Sequence, residues 1–248
     1  MVGGAIVVTA KAGDLTQYYI ARKGRNAIYM ATSAPSLLPV GELRFIARLN
    51  VAKLPNALQE PDSSVGTAIE GEDVFLLPDG RTSSKFYSAR RMLEDPLHGV
   101  SGNGVAVFML MGNRERSAGG PFFKDIATQK TRVTHELYNY MYSDHTQTEA
   151  FRGGLHGVYG LLFTDGGAPS SAQTSTDFID ASLGVSGYLA ADGRGTLAGR
   201  VSGVLAGQPA VVGLRNAQAQ YWATATGSGD YQINGVRPGR YRMTLYQH

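Results

Sequence analysis

The 248-residue chain has no cysteine, so a disulfide frame and a thiolate metal site are both excluded. It has no apolar run long enough to span a bilayer. It has no run of lysine and arginine either, and its net charge is only +3. A weak positive field suits an anionic ligand but falls short of a nucleic-acid footprint. Neither a nucleic acid nor a membrane is therefore an expected partner. The opening M-V-G-G-A-I-V-V-T-A lacks the basic start and long apolar core of a secretory signal. It reads as a strand entered midway, as expected of a mature form, a cloned piece or a shortened gene product. The histidines, at 98, 135, 145, 156 and 248, show no H-x-H or H-x-x-x-H spacing, which argues against zinc. A nucleophile elbow G-x-S-x-G is also absent, although V-S-G-N-G superficially resembles one. Glu42, Glu136 and Glu149 offer carboxylates for glycoside hydrolysis, but no two sit in a context that marks a catalytic pair.

What is present points to an all-β chain. There are 32 glycines and 10 prolines among short Val/Thr/Tyr runs. The length suits one large β domain, or a medium one with a small one. Strands are expected at 5–10, 17–22, 26–32, 73–77, 105–111 and 159–163. Residues 55–72 read as a loop and 98–104 as a glycine-rich turn without phosphate-binding context. Residues 41–50, G-E-L-R-F-I-A-R-L-N, fit a helix or a strand. Either one puts Arg44 and Arg48 on a common face, as a solvated basic patch or as a fork for a carboxylate. Residues 82–90, T-S-S-K-F-Y-S-A-R, read as a strand-like run in which Lys85 is flanked by Phe86 and Tyr87. Such a lysine is a snorkelling surface residue or, part-buried near other cations, a usable base.

The stretch 138–159 is the densest in chemistry. Tyr138, Tyr140 and Tyr142 alternate, so a strand would point all three to one face. That face is either an ordinary half-buried aromatic strand or a wall for a flat polar ligand such as a sugar. His145 joins the wall if the strand bends. Composition shifts after residue 183, and the phrase G-D-Y-Q-I-N-G-V-R-P-G-R-Y-R-M-T-L resembles small immunoglobulin-like or fibronectin-like modules. A boundary is expected between a large domain, 1–186, and a small one, 187–248. The small domain carries Trp222 but no cluster of acid, base or nucleophile. Two arginines, a lysine, a tyrosine wall and a histidine fit proton abstraction beside a carboxylate. In sugar chemistry that is β-elimination from a uronic acid.

The motifs G-E-L-R-F-I-A-R-L, S-K-F-Y-S, H-G-V-S-G, E-R-S-A-G-G-P-F-F-K-D, Y-N-Y-x-Y-S-x-H-x-Q-T-E-x-F-R-x-G-L-H-G and A-Q-Y-W…R-P-G-R-Y-R-M-T-L-Y-Q resemble, in order, those of rhamnogalacturonan lyases of polysaccharide lyase family 4. The resemblance runs from about Asp14 to the C-terminus. It implies a large β-sandwich of the galactose-mutarotase type, then a fibronectin III-like sandwich, then a jelly-roll carbohydrate-binding domain. It implies cleavage of the rhamnose–galacturonic acid bond in the rhamnogalacturonan I backbone of pectin. It also implies a secreted monomer that works without a cofactor or metal. Carried over by motif, Lys85 is the expected base and His145 the expected acid. Arg44 and Arg48 would face the galacturonate, and Tyr138 and Tyr140 would contact substrate. The chain departs from the family pattern at Ser83, where arginine is usual, at Asp144 before His145, and at Val158 in L-H-G-V-Y. The family's first strands would precede Met1 and its third domain would follow His248. A sandwich without those strands is expected to expose apolar edges and to lose stability. The alternative is an inactive or truncated relative that only binds the polysaccharide.

Overall fold

The computed structural model describes residues 4–60, 62, 65–145 and 148–248. Residues 1–3, parts of the 55–72 segment, and Thr146 and Gln147 of the tyrosine-rich stretch lie outside the described residues.

The largest sheet has seven strands in the order β1 (Ala5–Ala12), β2 (Leu15–Arg22), β3 (Ala27–Ala34), β13 (Gly154–Thr164), β10 (Val105–Leu110), β9 (Leu97–Gly102) and β5 (Asn56–Ala57). A three-stranded sheet, β11 (Thr128–Lys130), β12 (Thr134–Tyr142) and β4 (Leu43–Asn50), packs on one of its faces. Period-2 alternation decides which side chain goes where. From β3 and β10, Met30, Val107 and Met109 turn toward Leu43, Ala47, Leu137 and Met141 of the smaller sheet, forming the core of a β-sandwich. Tyr29, Ala31 and Phe108 take the opposite face. There Ile179, Leu183 and Val185, from the segment after β13, cover them. The edge strand β1 leaves Ile6 and Val8 exposed. A small sheet of β6 (Thr67–Glu70), β7 (Val74–Leu76) and β8 (Thr82–Ser84) leads into Lys85.

The ambiguous segment 41–50 is strand, β4. The expected glycine-rich turn at 98–104 is mostly strand, β9. Gly99 serves packing there: a Cβ would lie 2.6 Å from the Phe108 ring. The expected loop at 55–72 contains β5 and β6.

Residues 195–247 form their own sheets: β14 (Gly195–Arg200) with β17 (Asp230–Val236), and β16 (Gln220–Thr224) with β15 (Ala210–Arg215) and β18 (Arg242–Gln247). Val212, Leu214, Tyr221 and Ile233 make a separate core between them. The loop after β10 joins the two parts. Gly112, at φ +65°, lets that loop cross β13 where any Cβ would meet the Val158 carbonyl oxygen at 1.9 Å. The loop then delivers Glu115, which is buried against the C-terminal part. Glu115 accepts from Arg194 at 2.7 Å, Arg237 at 2.9 Å and the Tyr221 hydroxyl at 2.7 Å.

Candidate active site

The register of β4 against β12 builds the site's floor. Arg44 pairs with Tyr140, Ile46 with Tyr138 and Arg48 with Glu136, so all six side chains share the face turned away from the core. Tyr138 and Tyr140 stack in parallel, their centroids 5.7 Å apart and their planes 1° apart. Arg44 donates to the Tyr140 hydroxyl at 2.7 Å and to Glu42 at 2.8 Å. Arg48 donates to Glu136 at 2.9 Å. The Tyr138 hydroxyl donates its one hydrogen to Glu136 and lies 3.1 Å from the Gln129 side chain. Burial pushes the Tyr140 phenol up to about 12, against the pull of Arg44, and pushes Tyr138 higher still with help from Glu136. Both phenols therefore stay protonated near neutral pH and serve as hydrogen-bonding surfaces, not bases.

Tyr142 departs from the expected row. A bulge between Tyr140 and Tyr142 shifts the register, so Tyr142 pairs with Leu43. One extra residue in a strand reverses the facing of the residues after it. Tyr142 accordingly packs on the sandwich core and meets the Phe151 ring edge-on at 5.5 Å.

The chain then turns back on itself. The Ser143 hydroxyl accepts the His145 N–H at 3.2 Å, an ST-type turn that returns the imidazole to the tyrosine face. His145 meets Tyr140 edge-on at 5.6 Å and Phe86 at 4.8 Å. Its Nδ1 lies 3.3 Å from Asp125 and its Nε2 3.6 Å from Glu42. Asp144 packs its carboxylate against Gly41, next to Glu42.

Lys85 is not in a strand. β8 ends at Ser84 and the segment S-K-F-Y-S closes a tight turn through its two serines. The Ser84 hydroxyl accepts the N–H groups of Phe86 and Tyr87 at 3.3 and 3.4 Å, and the Ser88 hydroxyl accepts that of Ser84 at 3.0 Å. The turn sends Phe86 into the cluster of Tyr138, Tyr140 and Ile126. Tyr87 points to solvent. Lys85 Nζ lies 5.3 Å from the Phe86 centroid and 2.5 Å from Asp73 Oδ1. It lines a cavity of about 190 Å³ with Glu60, Ser84, Arg90, Gln129 and Lys130.

The face thus gathers Arg44, Arg48, Tyr138, Tyr140 and His145. Lys85 stands at its margin, joined through Phe86, which touches both His145 and Lys85, and through Gln129, which lies beside the Tyr138 hydroxyl and lines the lysine's cavity. Arg44 and Arg48 are not among the described residues lining that cavity. Each cation has its own carboxylate: Glu42, Glu136 or Asp73. Neither Asp73 nor Asp125 stands out in the sequence. Asp125 does end the E-R-S-A-G-G-P-F-F-K-D motif, which was the available signal.

Residues 1–187 match the family model described as rhamnogalacturonan lyase B, N-terminal, and residues 197–248 match polysaccharide lyase family 4, domain II. Relatives include rhamnogalacturonate lyase A of Emericella nidulans, 44% identical, and that of Aspergillus aculeatus, 43% identical. A probable rhamnogalacturonate lyase A of Aspergillus flavus is 45% identical. Each alignment covers 99% of this chain and 46% of the relative, so the chain spans about half the length of the curated relatives it matches. With both of its parts matched in order, the chain belongs to the rhamnogalacturonan lyases of polysaccharide lyase family 4.

Proposed function

We propose that the chain carries the catalytic face of a rhamnogalacturonan endolyase, which cleaves the rhamnose–galacturonic acid bond of rhamnogalacturonan I by β-elimination. The observation that carries this reading is the position of Phe86, with the His145 ring at 4.8 Å and Lys85 Nζ at 5.3 Å. A candidate base and a candidate acid thereby flank one ring, beside two arginines on one sheet face. In this reading Arg44 and Arg48 hold the uronate carboxylate and stabilise the charge that grows on it as the C5 proton leaves. Lys85 takes that proton. The C5–H electron pair becomes the C4–C5 double bond, and the C4–O bond breaks. His145 protonates the departing rhamnose oxygen. Tyr138 and Tyr140, only 5% and 4% exposed, support the sugar from beneath by holding Glu136 and Arg44 in place. Abstraction requires Asp73, whose side chain is 58% exposed, to swing off the Lys85 ammonium.

That same ion pair favours a second reading, in which this chain binds the polymer without turning it over. Mixing the chain with rhamnogalacturonan I separates the two. New ultraviolet absorbance from the unsaturated uronate supports the lyase; a gel shift without absorbance supports the binder. We further propose a division into a catalytic part, residues 1–186, and a fibronectin III-like part, 187–248. Its support is that β14 to β18 share no strand with the earlier sheets. Secretion and action as a monomer belong to the same proposal, with the pectic polysaccharide as partner.

Arg44→Ala should lower kcat/KM on the polymer about 10- to 100-fold, the 1.5–3 kcal/mol of a charge-assisted hydrogen bond. It also strips Glu42 of its cation and leaves a carboxylate facing the incoming uronate. Arg48→Ala should cost less, because its side chain is 64% exposed and screened. Unchanged kinetics in both variants would remove the arginines from the site.

A further inference from the structure

His145 is held from two sides, and the two sides differ. Asp125 has a side chain only 6% exposed, whereas that of Glu42 is 21% exposed and already engaged by Arg44 at 2.8 Å. Asp125 Oδ1, the oxygen facing the imidazole, also accepts the N–H of Ile126 at 2.8 Å, so it is fixed by the backbone beside it. Burial pushes the Asp125 carboxyl up; bonds from Ser143 and Ile126 and the charge of His145 oppose this. The Ser143 turn and the rings of Phe86 and Tyr140 leave the imidazole little freedom to rotate. In this orientation Nδ1 faces a carboxylate oxygen at 3.3 Å. A bare Nδ1 would set two lone pairs against each other, whereas a proton on Nδ1 makes the contact a hydrogen bond.

We propose that Asp125 is a positioning residue: it keeps a proton on Nδ1 of His145 and so presents Nε2, on the Glu42 and Arg44 side, as the nitrogen that works on the substrate. The inference rests on the reading of His145 as the proton donor. In the step, the imidazolium gives its Nε2 proton to the rhamnose oxygen as the C4–O bond breaks. Nδ1 keeps its proton throughout and Asp125 takes none. The histidine is left neutral with hydrogen on Nδ1, while Lys85 holds the proton removed from C5.

Nitrogen-15 NMR of the imidazoles in the whole chain tests this, with His145 assigned by the signals that vanish in His145→Gln. In the unsubstituted chain above its titration, His145 should be the Nδ1–H tautomer. Asp125→Ala should move it toward Nε2–H, the form a free neutral imidazole favours, because no acceptor is left beside Nδ1. It should also cut kcat about 10²-fold, within the range of general acid catalysis, with KM nearly unchanged. A bare Nδ1 in the unsubstituted chain overturns the proposal, and so does an Asp125→Ala variant with the same tautomer and the same kcat. Should Asp125→Ala fail to fold, the tautomer of the unsubstituted chain decides alone. Normal turnover in His145→Gln would instead sink the reading of His145 as donor, whatever tautomer the native ring shows.

Discussion

Lys85→Ala is expected to lower turnover of rhamnogalacturonan I by roughly 10²- to 10⁴-fold, the range a positioned general base supplies, while polymer binding stays nearly the same. The split comes from where the side chain sits. The turn that carries Lys85 is closed by the Ser84 and Ser88 hydroxyls and by the Lys85 N–H on the Asp73 carbonyl at 3.1 Å. None of these bonds uses the lysine side chain, so alanine leaves the turn intact. Nor does the substitution touch Arg44, Arg48 or the stacked tyrosines. Lys85→Arg should be almost as impaired, because a guanidinium keeps the charge but does not give up its proton. Asp73→Asn should ease abstraction by removing the carboxylate that competes for the ammonium. Product absorbance measures all three variants. A Lys85→Ala protein with near-normal turnover would end the proposed mechanism.

The second large effect is on stability. Glu115 is 2% exposed and pairs with two arginines from the C-terminal part while accepting the Tyr221 hydroxyl. Removing one member of a buried ionic cluster leaves the others uncompensated, at a cost of about 3–5 kcal/mol. Glu115→Ala should therefore lower the melting midpoint by roughly 6–20 °C for a chain of this size. It should also weaken the coupling of the two parts in unfolding, because Glu115 joins them alongside the Glu149–Arg215 pair at 2.9 Å. The same group makes the fold acid-labile. Burial alone would raise its carboxyl, but Arg194, Tyr221 and Arg237 outweigh burial and bring it from 4.5 to about 2. A carboxyl depressed in the folded state stabilises above its unfolded value, and that stability is lost as pH falls from about 4.5 through about 2. Burial and the charge of Arg116 likewise bring His156 from 6.5 to about 4, so acid costs begin earlier, as the unfolded chain takes up that proton below pH 6.5. Denaturant midpoints recorded from pH 7 to pH 3 should decline in the unsubstituted protein. In Glu115→Ala the part of the decline below pH 4.5 should flatten. An unshifted melting midpoint in that variant would contradict this account.

Local pattern carried much of the architecture. Alternation along β3, β10 and β12 was legible because a strand's facing depends only on parity, and Arg44 and Arg48 share a face for the same reason. The misreadings have local causes as well. Tyr142 turns inward because a bulge breaks parity, and no residue in Y-N-Y-M-Y announces a bulge. Lys85 leaves the strand because serine hydroxyls bond the backbone and close a turn, a signal that S-K-F-Y-S contains but strand propensity outweighed. The partners were harder. Asp125 reaches His145 across 20 residues and Glu115 reaches Arg237 across 122. Such pairings are set by how sheets and parts pack, which one sequence does not spell out.

The pairing of each cation on the face with a tethered carboxylate changes what binding means there. Glu42 on Arg44, Glu136 on Arg48 and Asp73 on Lys85 act as resident occupants at high effective concentration. In the proposed reading, an arriving uronate would not fill a vacant charge but would exchange with an incumbent. A small free anion such as acetate, with nothing else to hold it, loses that exchange. A polymer carboxylate brings the contacts of its neighbouring sugars and can win it. The face would then ignore the salts and organic acids around it and respond to a chain of sugars, a selectivity set by competition and not by attraction.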